Sequence, residues 1–199
     1  TTGNHTNTSG SITATESGPN TTSSGYGVSN LTVVTPPVIA KTFGTTTLYT
    51  DGIPSSTSLT FSLTNPNTFT SLTGVNFTDS LPPGLQVDNP SGSPISPNCT
   101  TGSMTGQTIT ASNNAPSIGL SGATLTAGAS CTFSVNVKVS GTTPVGSATN
   151  SVTVSSSGPI ATTGNTATAT INVKTVTPNI SILKQVSTDN TNWFNSVNV

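Results

Sequence analysis

Hydrophobic and polar residues alternate along most of this chain with a period of two. From Ser130 the sequence runs "SCTFSVNVKVS", which puts Cys131, Phe133, Val135, Val137 and Val139 on one face and Thr132, Ser134, Asn136 and Lys138 on the other. The same alternation places Leu59, Phe61 and Leu63 inward in "TSLTFSLT", and Val75 and Phe77 inward in "GVNFTDS". "SATNSVTV" and "NTATATINV" add two strands, the second with Ala167, Ala169, Ile171 and Val173 facing in. Threonine dominates the outward positions, where a β-branched polar side chain suits a solvated pleat. No window carries a helical stripe. Between the strands stand "TDG", "TNPN" and "LPPGL", which combine proline-fixed φ with glycine or asparagine for a tight reversal. Many short strands separated by such turns predict an all-β chain, an antiparallel immunoglobulin-like β-sandwich.

Composition narrows the function classes. Charged residues make up 5% of the 199 residues, net charge is −1, and hydrophobic residues reach 30%. Low charge combined with that apolar content does not match a disordered chain, which couples low hydrophobicity to high net charge. The four cationic side chains are all scattered lysines, too few to line a groove for nucleic acid. The longest apolar runs are only a few residues, so no membrane span is expected in this fragment, and no charged-then-apolar signal peptide opens it. The fragment reads as soluble and as mature or internal.

Candidate chemistry is sparse. His5 lies in the polar segment "GNHTNTSGS" with no acid nearby, and five carboxylates in all leave little with which to tune an acid and base pair. The glycines sit singly in turns rather than in a phosphate-cradling loop between strand and helix. No catalytic residue, cofactor site or metal site is assigned, and the chain is not expected to be an enzyme. Asp51, Asp79 and Asp88 lie too far apart in sequence to resemble the closely spaced acids of a calcium loop. Asp79 has core-side parity at the end of its strand, just before Leu81 and two prolines, where a carboxylate is expected to accept backbone N–H bonds from the turn. Cys99 and Cys131, with no accompanying histidine, read as a disulfide and hence as a sign of an oxidising, extracellular compartment, the alternative being two free buried thiols.

The triplet Ser-Gly-Pro begins at Ser17 and again at Ser157, 140 positions apart, within longer similar stretches that both lead into "TP". That repetition divides the chain into the closing strands of one repeat (1–35), a complete sandwich (36–177) and the opening strands of another (178–199). Boundaries fall near Thr35 to Pro37 and Thr177 to Pro178, and linkers so short give limited interdomain freedom.

The order "PPVIAKTFG", "STSLTFSLTNPN", "LTGVNFTDSLPPGLQV", a Cys after "SP", "LSGATLTAGASCTFSVNVKV" and "GSATNSVTV" resembles the repeat domains of unknown function in bacterial and archaeal surface proteins. The resemblance covers Pro36 to about Val173. It implies an immunoglobulin-like sandwich repeated in tandem in long secreted chains, with a structural or adhesive role and no catalytic residues to carry over. Cys99 and Cys131 match that family's cysteine pair. The segment from Asn179 to Val199 resembles the start of a related but different repeat.

Two roles follow as expectations: a structural module of a filament, stalk or surface layer, and an adhesin or glycan-binding module. Glycan partners would want exposed aromatics, and Trp193 with Phe194 in "TNWFNS" is the candidate platform, although packing in the core of the next domain is the preferred reading. Partial repeats at both ends would pair strands with neighbouring copies or adjacent repeats, so Ile12, Val28, Leu31 and Val33 at one end, and Ile180, Ile182 and Trp193 at the other, are expected to form an assembly interface. Sequons stand at Asn4, Asn7, Asn20, Asn30, Asn76, Asn98 and Asn179, and predict sugar only in an organism that glycosylates. A covalent Lys-to-Asn cross-link, which needs both partners buried beside an acid, has possible ingredients in Lys41, after "VIA", and Asp79. The alternative leaves Lys41 snorkelling or paired with a carboxylate at the sandwich edge.

Overall fold

The computed structural model describes residues 3–8, 13–14, 18–19, 28–51 and 54–176. In chain order the strands are β1 (Gly3–Thr8), β2 (Thr13–Ala14), β3 (Gly18–Pro19), β4 (Val28–Val33), β5 (Val38–Phe43), β6 (Thr47–Tyr49), β7 (Ser56–Thr64) and β8 (Leu72–Ser80). They continue with β9 (Leu85–Val87), β10 (Asn98–Thr101), β11 (Met104–Thr105), β12 (Thr108–Thr110), β13 (Ser117–Leu125), β14 (Ser130–Val139), β15 (Gly146–Ser156) and β16 (Thr162–Lys174). Two sheets make the sandwich. The first runs β10-β14-β7-β5 with β9 also paired to β14; the second runs β11-β13-β8-β15-β16-β6 with β12 also on β13. The β16–β6 pairing is parallel, joining Val173 to Leu48, and departs from the purely antiparallel arrangement expected from the turns.

The alternation seen in the sequence is the alternation of burial. Leu59, Phe61 and Leu63 from β7, Phe133, Val135 and Val137 from β14, Val75 and Phe77 from β8, and Val152 and Val154 from β15 all lie in one core between the sheets. At its centre Phe61 stacks on Phe77 and on Phe133, with ring centroids 5.0 and 5.1 Å apart. Such ring pairs contribute about 0.5–1.5 kcal/mol each beyond area burial.

The two sheets are stitched along one side by a side chain acting as backbone. Asn165 of β16 accepts the Ile39 N–H through Oδ1 at 2.8 Å and donates from Nδ2 to the Ile39 carbonyl at 2.8 Å, so β5 of one sheet is held to β16 of the other. In "LPPGL" the Leu85 N–H closes on the Pro82 carbonyl, and Gly84 has φ +83°. A Cβ at Gly84 would collide with the backbone of Thr143, so this turn requires glycine on both counts.

The asparagines of "TNPN" do similar work. Asn65, fully buried, directs its Nδ2 at the carbonyls of Thr70, Leu125 and Thr126, while its Oδ1 accepts from the backbone and side-chain nitrogens of Asn67. Asn67 in turn pairs with both backbone groups of Thr35, accepting its N–H at 2.8 Å and donating to its carbonyl at 2.8 Å. These amides satisfy backbone groups at the end of β13 and in the neighbouring loops. Asn65→Ala is expected to lower stability by about 1–3 kcal/mol in urea unfolding, because buried carbonyls lose their donor.

Outside the sandwich, β1 and β4 form a two-stranded antiparallel ribbon, and β2 pairs with β3. Val28 and Leu31 of this ribbon are 61% and 63% exposed, and Val33 is partly buried. Ile12, Ile180, Ile182, Trp193 and Phe194 lie outside the described residues.

Candidate functional site

Three polar side chains sit where the strand pattern calls for apolar ones. Lys41 shares its face of β5 with Ile39; Asp79 shares its face of β8 with Val75 and Phe77; Asn150 shares its face of β15 with Val152 and Val154. All three are buried, and the side chains of Lys41 and Asp79 have no solvent-exposed surface. Among the described residues, Lys41 and Asp79 are the only buried charged residues.

The strand order brings them together. β8 and β15 are neighbours in the second sheet, and β5 crosses over from the first, so one lysine from one sheet meets an aspartate and an asparagine from the other. Lys41 Nζ donates to Asp79 Oδ1 at 2.9 Å, and Asn150 Nδ2 donates to Asp79 Oδ2 at 3.0 Å. A single carboxylate thus holds the amine and the carboxamide, one on each oxygen. Asn150 Oδ1 is buried and has no hydrogen-bond partner. An unsatisfied carbonyl in a native core is costly and calls for an explanation.

The walls are apolar. Lys41 is directly across from Phe61 in the β5–β7 register, and Asp79 is across from Ile118 in the β13–β8 register. Removal from water disfavours both charges. Burial pulls the Lys41 ammonium below its ordinary 10.5, against the opposing hydrogen bond and charge of Asp79. Burial pushes the Asp79 carboxyl above its ordinary 3.8, against its bonds to Lys41 and Asn150 and the charge of Lys41. Both shifts favour moving the shared proton from nitrogen towards oxygen.

This placement corrects the turn reading of Asp79. Its oxygens are taken by Lys41 and Asn150; the turn that follows is closed by backbone, with the Leu85 N–H on the Pro82 carbonyl. The cause is parity: Asp79 is still within β8, so its side chain points between the sheets rather than along the chain into the turn. Lys41 pairs with a carboxylate, but in the interior rather than at an edge. Asn150 was not singled out from the sequence. Its signal was present in "SATNSVTV", where the inward parity of Val152 and Val154 extends back to Asn150, but among Ser, Thr and Ala it reads as one more polar strand residue.

The other carboxylates go elsewhere. Asp51 accepts the Val176 N–H at 2.7 Å, and Asp88 pairs with Lys138 at 3.3 Å on the surface. Among the described residues no group of three or more His, Cys, Asp or Glu could hold a metal ion. Cys99 and Cys131 are disulfide-bonded, directly across from each other in the β10–β14 pair, and the bond ties the segment after β9 to the first sheet.

A family model described as "Domain of unknown function (DUF7933)" matches residues 37–173. No curated protein matches the chain. Similar solved structures include the major pilin subunit BcpA of Bacillus cereus, as a D312A variant, at 12% identity and TM-score 0.48, covering 78% of this chain and 47% of that one. The collagen adhesin of S. aureus is 16% identical at TM-score 0.47, covering 75% and 54%. The seventh ScaB type I cohesin of Pseudobacteroides cellulosolvens is 13% identical at TM-score 0.41, covering 72% and 97%. The chain therefore spans about half the length of the pilin and of the adhesin.

Proposed function

Since this chain belongs to the family described as DUF7933, whose description carries a domain and no activity, we propose from its own residues that it is a structural repeat module of an extracellular filament, stalk or surface layer. In this reading residues 36–177 are one repeat, and repeats join head to tail through strands contributed at either end.

One observation carries the reading. Advancing by the 140-residue spacing of the Ser-Gly-Pro triplets takes Leu31 to Ile171 and Val33 to Val173. Ile171 is wholly buried in β16, inside the second sheet, whereas Leu31 is 63% exposed in a ribbon paired only to β1 among the described residues. On this division into repeats the same strand is a core element in one and an uncovered one in the other. A two-stranded ribbon is marginal in water, so β4 fits a sandwich completed by strands from a neighbouring repeat. The disulfide supports an oxidising, extracellular setting. Ile12, Ile180, Ile182 and Trp193 are the further residues assigned to such contacts.

Sedimentation of the 199-residue chain over a range of concentrations tests this. Self-association that Leu31→Asp weakens, with the melting midpoint of the sandwich unchanged, is the expected result. A wild-type chain that stays monomeric throughout overturns head-to-tail assembly by this strand.

A further inference from the structure

We propose that the sandwich cross-links itself: Lys41 Nζ attacks Cγ of Asn150 with Asp79 as the proton-transferring acid, forming an isopeptide bond between β5 and β15 and releasing ammonia.

Four features of the site converge on this reaction. Amide formation from an amine and a carboxamide needs the amine uncharged, and the apolar surroundings of Lys41 disfavour its ammonium form. It needs proximity without water: nucleophile and electrophile come from different sheets, are both buried, and are hydrogen-bonded to the two oxygens of one carboxylate. It needs a proton donor for the oxygen that gains charge, and Asp79 takes up the proton that Lys41 gives away. Finally, it needs an accepting carbonyl not already committed elsewhere. Asn150 Oδ1 is that atom, buried and without a partner. The terminal torsion of an asparagine is broad and close to two-fold, so a half-turn of the carboxamide brings Oδ1 to Asp79, where the protonated carboxyl donates to it.

The atoms balance. The Lys41 proton passes to Asp79, the Nζ–Cγ bond forms as Asp79 protonates Oδ1, and a tetrahedral centre carrying both nitrogens results. Asp79 then relays a proton from Nζ to Nδ2, the Cγ–Nδ2 bond breaks, and as the carbonyl re-forms Oδ1 returns its proton to Asp79, which hands it to the departing ammonia, so that ammonium leaves and the carboxylate is restored. No oxidant, cofactor or activated donor enters. Asp79 ends as it began, so its part is catalytic in a single-turnover sense. The bond fastens the first sheet to the second through side chains, and does so inside the module. It therefore adds to the assembly proposed above without depending on it.

Intact mass of the folded, then reduced and denatured, 199-residue chain is the test. A mass short of the sequence value by one ammonia, about 17 Da, is expected, together with a branched proteolytic fragment joining the peptides around Lys41 and Asn150. Lys41→Met and Asn150→Ala should restore full mass, and Asp79→Asn, which keeps the shape and removes the acid, should do so while the chain still unfolds cooperatively. A folded wild type of full mass overturns the proposal. So does a missing ammonia that fragmentation places elsewhere, as in a cyclised asparagine. A bond that still forms in Asp79→Asn overturns the role given to Asp79. Asn150→Asp gives a second check, since condensation there would lose water in place of ammonia.

Discussion

Replacing Asp79 by alanine is expected to cost about 3–5 kcal/mol of stability, because it strands the Lys41 amine in an apolar core with no counter-charge. For a sandwich of this size that is a fall of roughly 10–20 °C in melting midpoint. The effect belongs to the unpaired charge rather than to the lost contact. Adding Lys41→Met to Asp79→Ala should therefore recover the part due to the unpaired charge, since a buried pair replaced by apolar side chains is often neutral, while whatever the proposed cross-link contributes stays lost in both variants. An Asp79→Ala protein as stable as wild type would mean that the lysine reaches water, contrary to its complete burial.

The single variants should also respond to pH in opposite directions. With Asp79 gone, desolvation is left to act alone on Lys41 and holds its pKa below the ordinary 10.5. Across that interval the unfolded chain binds a proton that the folded one does not, so stability rises with pH towards 10.5 and is lost as pH falls. With Lys41 replaced by methionine, desolvation, opposed now only by the Asn150 hydrogen bond, raises Asp79 above 3.8, and the folded chain keeps a proton that the unfolded one has released. Stability is greatest in acid and falls as pH rises from 3.8 through the raised value. Urea midpoints across a pH series read both slopes, and parallel slopes would contradict the desolvation account.

Period-two patterning made the architecture legible because every long strand has one wet face and one dry face. The strands read from "TSLTFSLT", "GVNFTDS" and "SCTFSVNVKVS" are β7, β8 and β14, with the inward residues expected of each. The short strands β9 to β12 were harder to see, since two to four residues cannot establish a period. The parallel seam of β6 on β16 was invisible for a different reason: its partners are more than a hundred residues apart, and no turn joins them. The polar cluster was half legible. Parity alone pointed Asp79 inward, and Lys41 lay in an apolar strand, but recognising Asn150 required knowing that β8 and β15 are neighbours and that β5 faces them. A carboxylate beside two prolines looks like a turn residue until the partner 71 positions away is in view.

Removing the disulfide is expected to rank close behind loss of the buried pair. Cys131 is wholly buried at the start of β14, Cys99 lies in the four-residue strand β10 at the sheet's edge, and the bond closes a loop of 32 residues. In the chain-entropy model a loop of that length stabilises the fold by about 3–4 kcal/mol, mainly by restricting the unfolded chain. Cys99→Ala with Cys131→Ala should thus lower the urea midpoint and raise the slope of the transition, because the opened unfolded chain exposes more surface. The local consequence should be larger than the global one. Between β9 and β10 the segment around Ser91 and Ser93 is exposed, and β10 has only a few ladder bonds to β14 to hold it. Limited proteolysis should therefore cut first between Val87 and Asn98 in the reduced or substituted protein, while β7, β8 and β15 stay protected. The Cys99–Cys131 loop lies wholly within the span from Lys41 to Asn150, so in a cross-linked chain both closures restrict the same unfolded segment. The stability lost on removing both should exceed the sum of the two single losses, because each bond closes a shorter effective loop while the other is in place. A strictly additive result, with the isopeptide confirmed by mass, would show that the two bonds act on the folded state rather than on the unfolded chain.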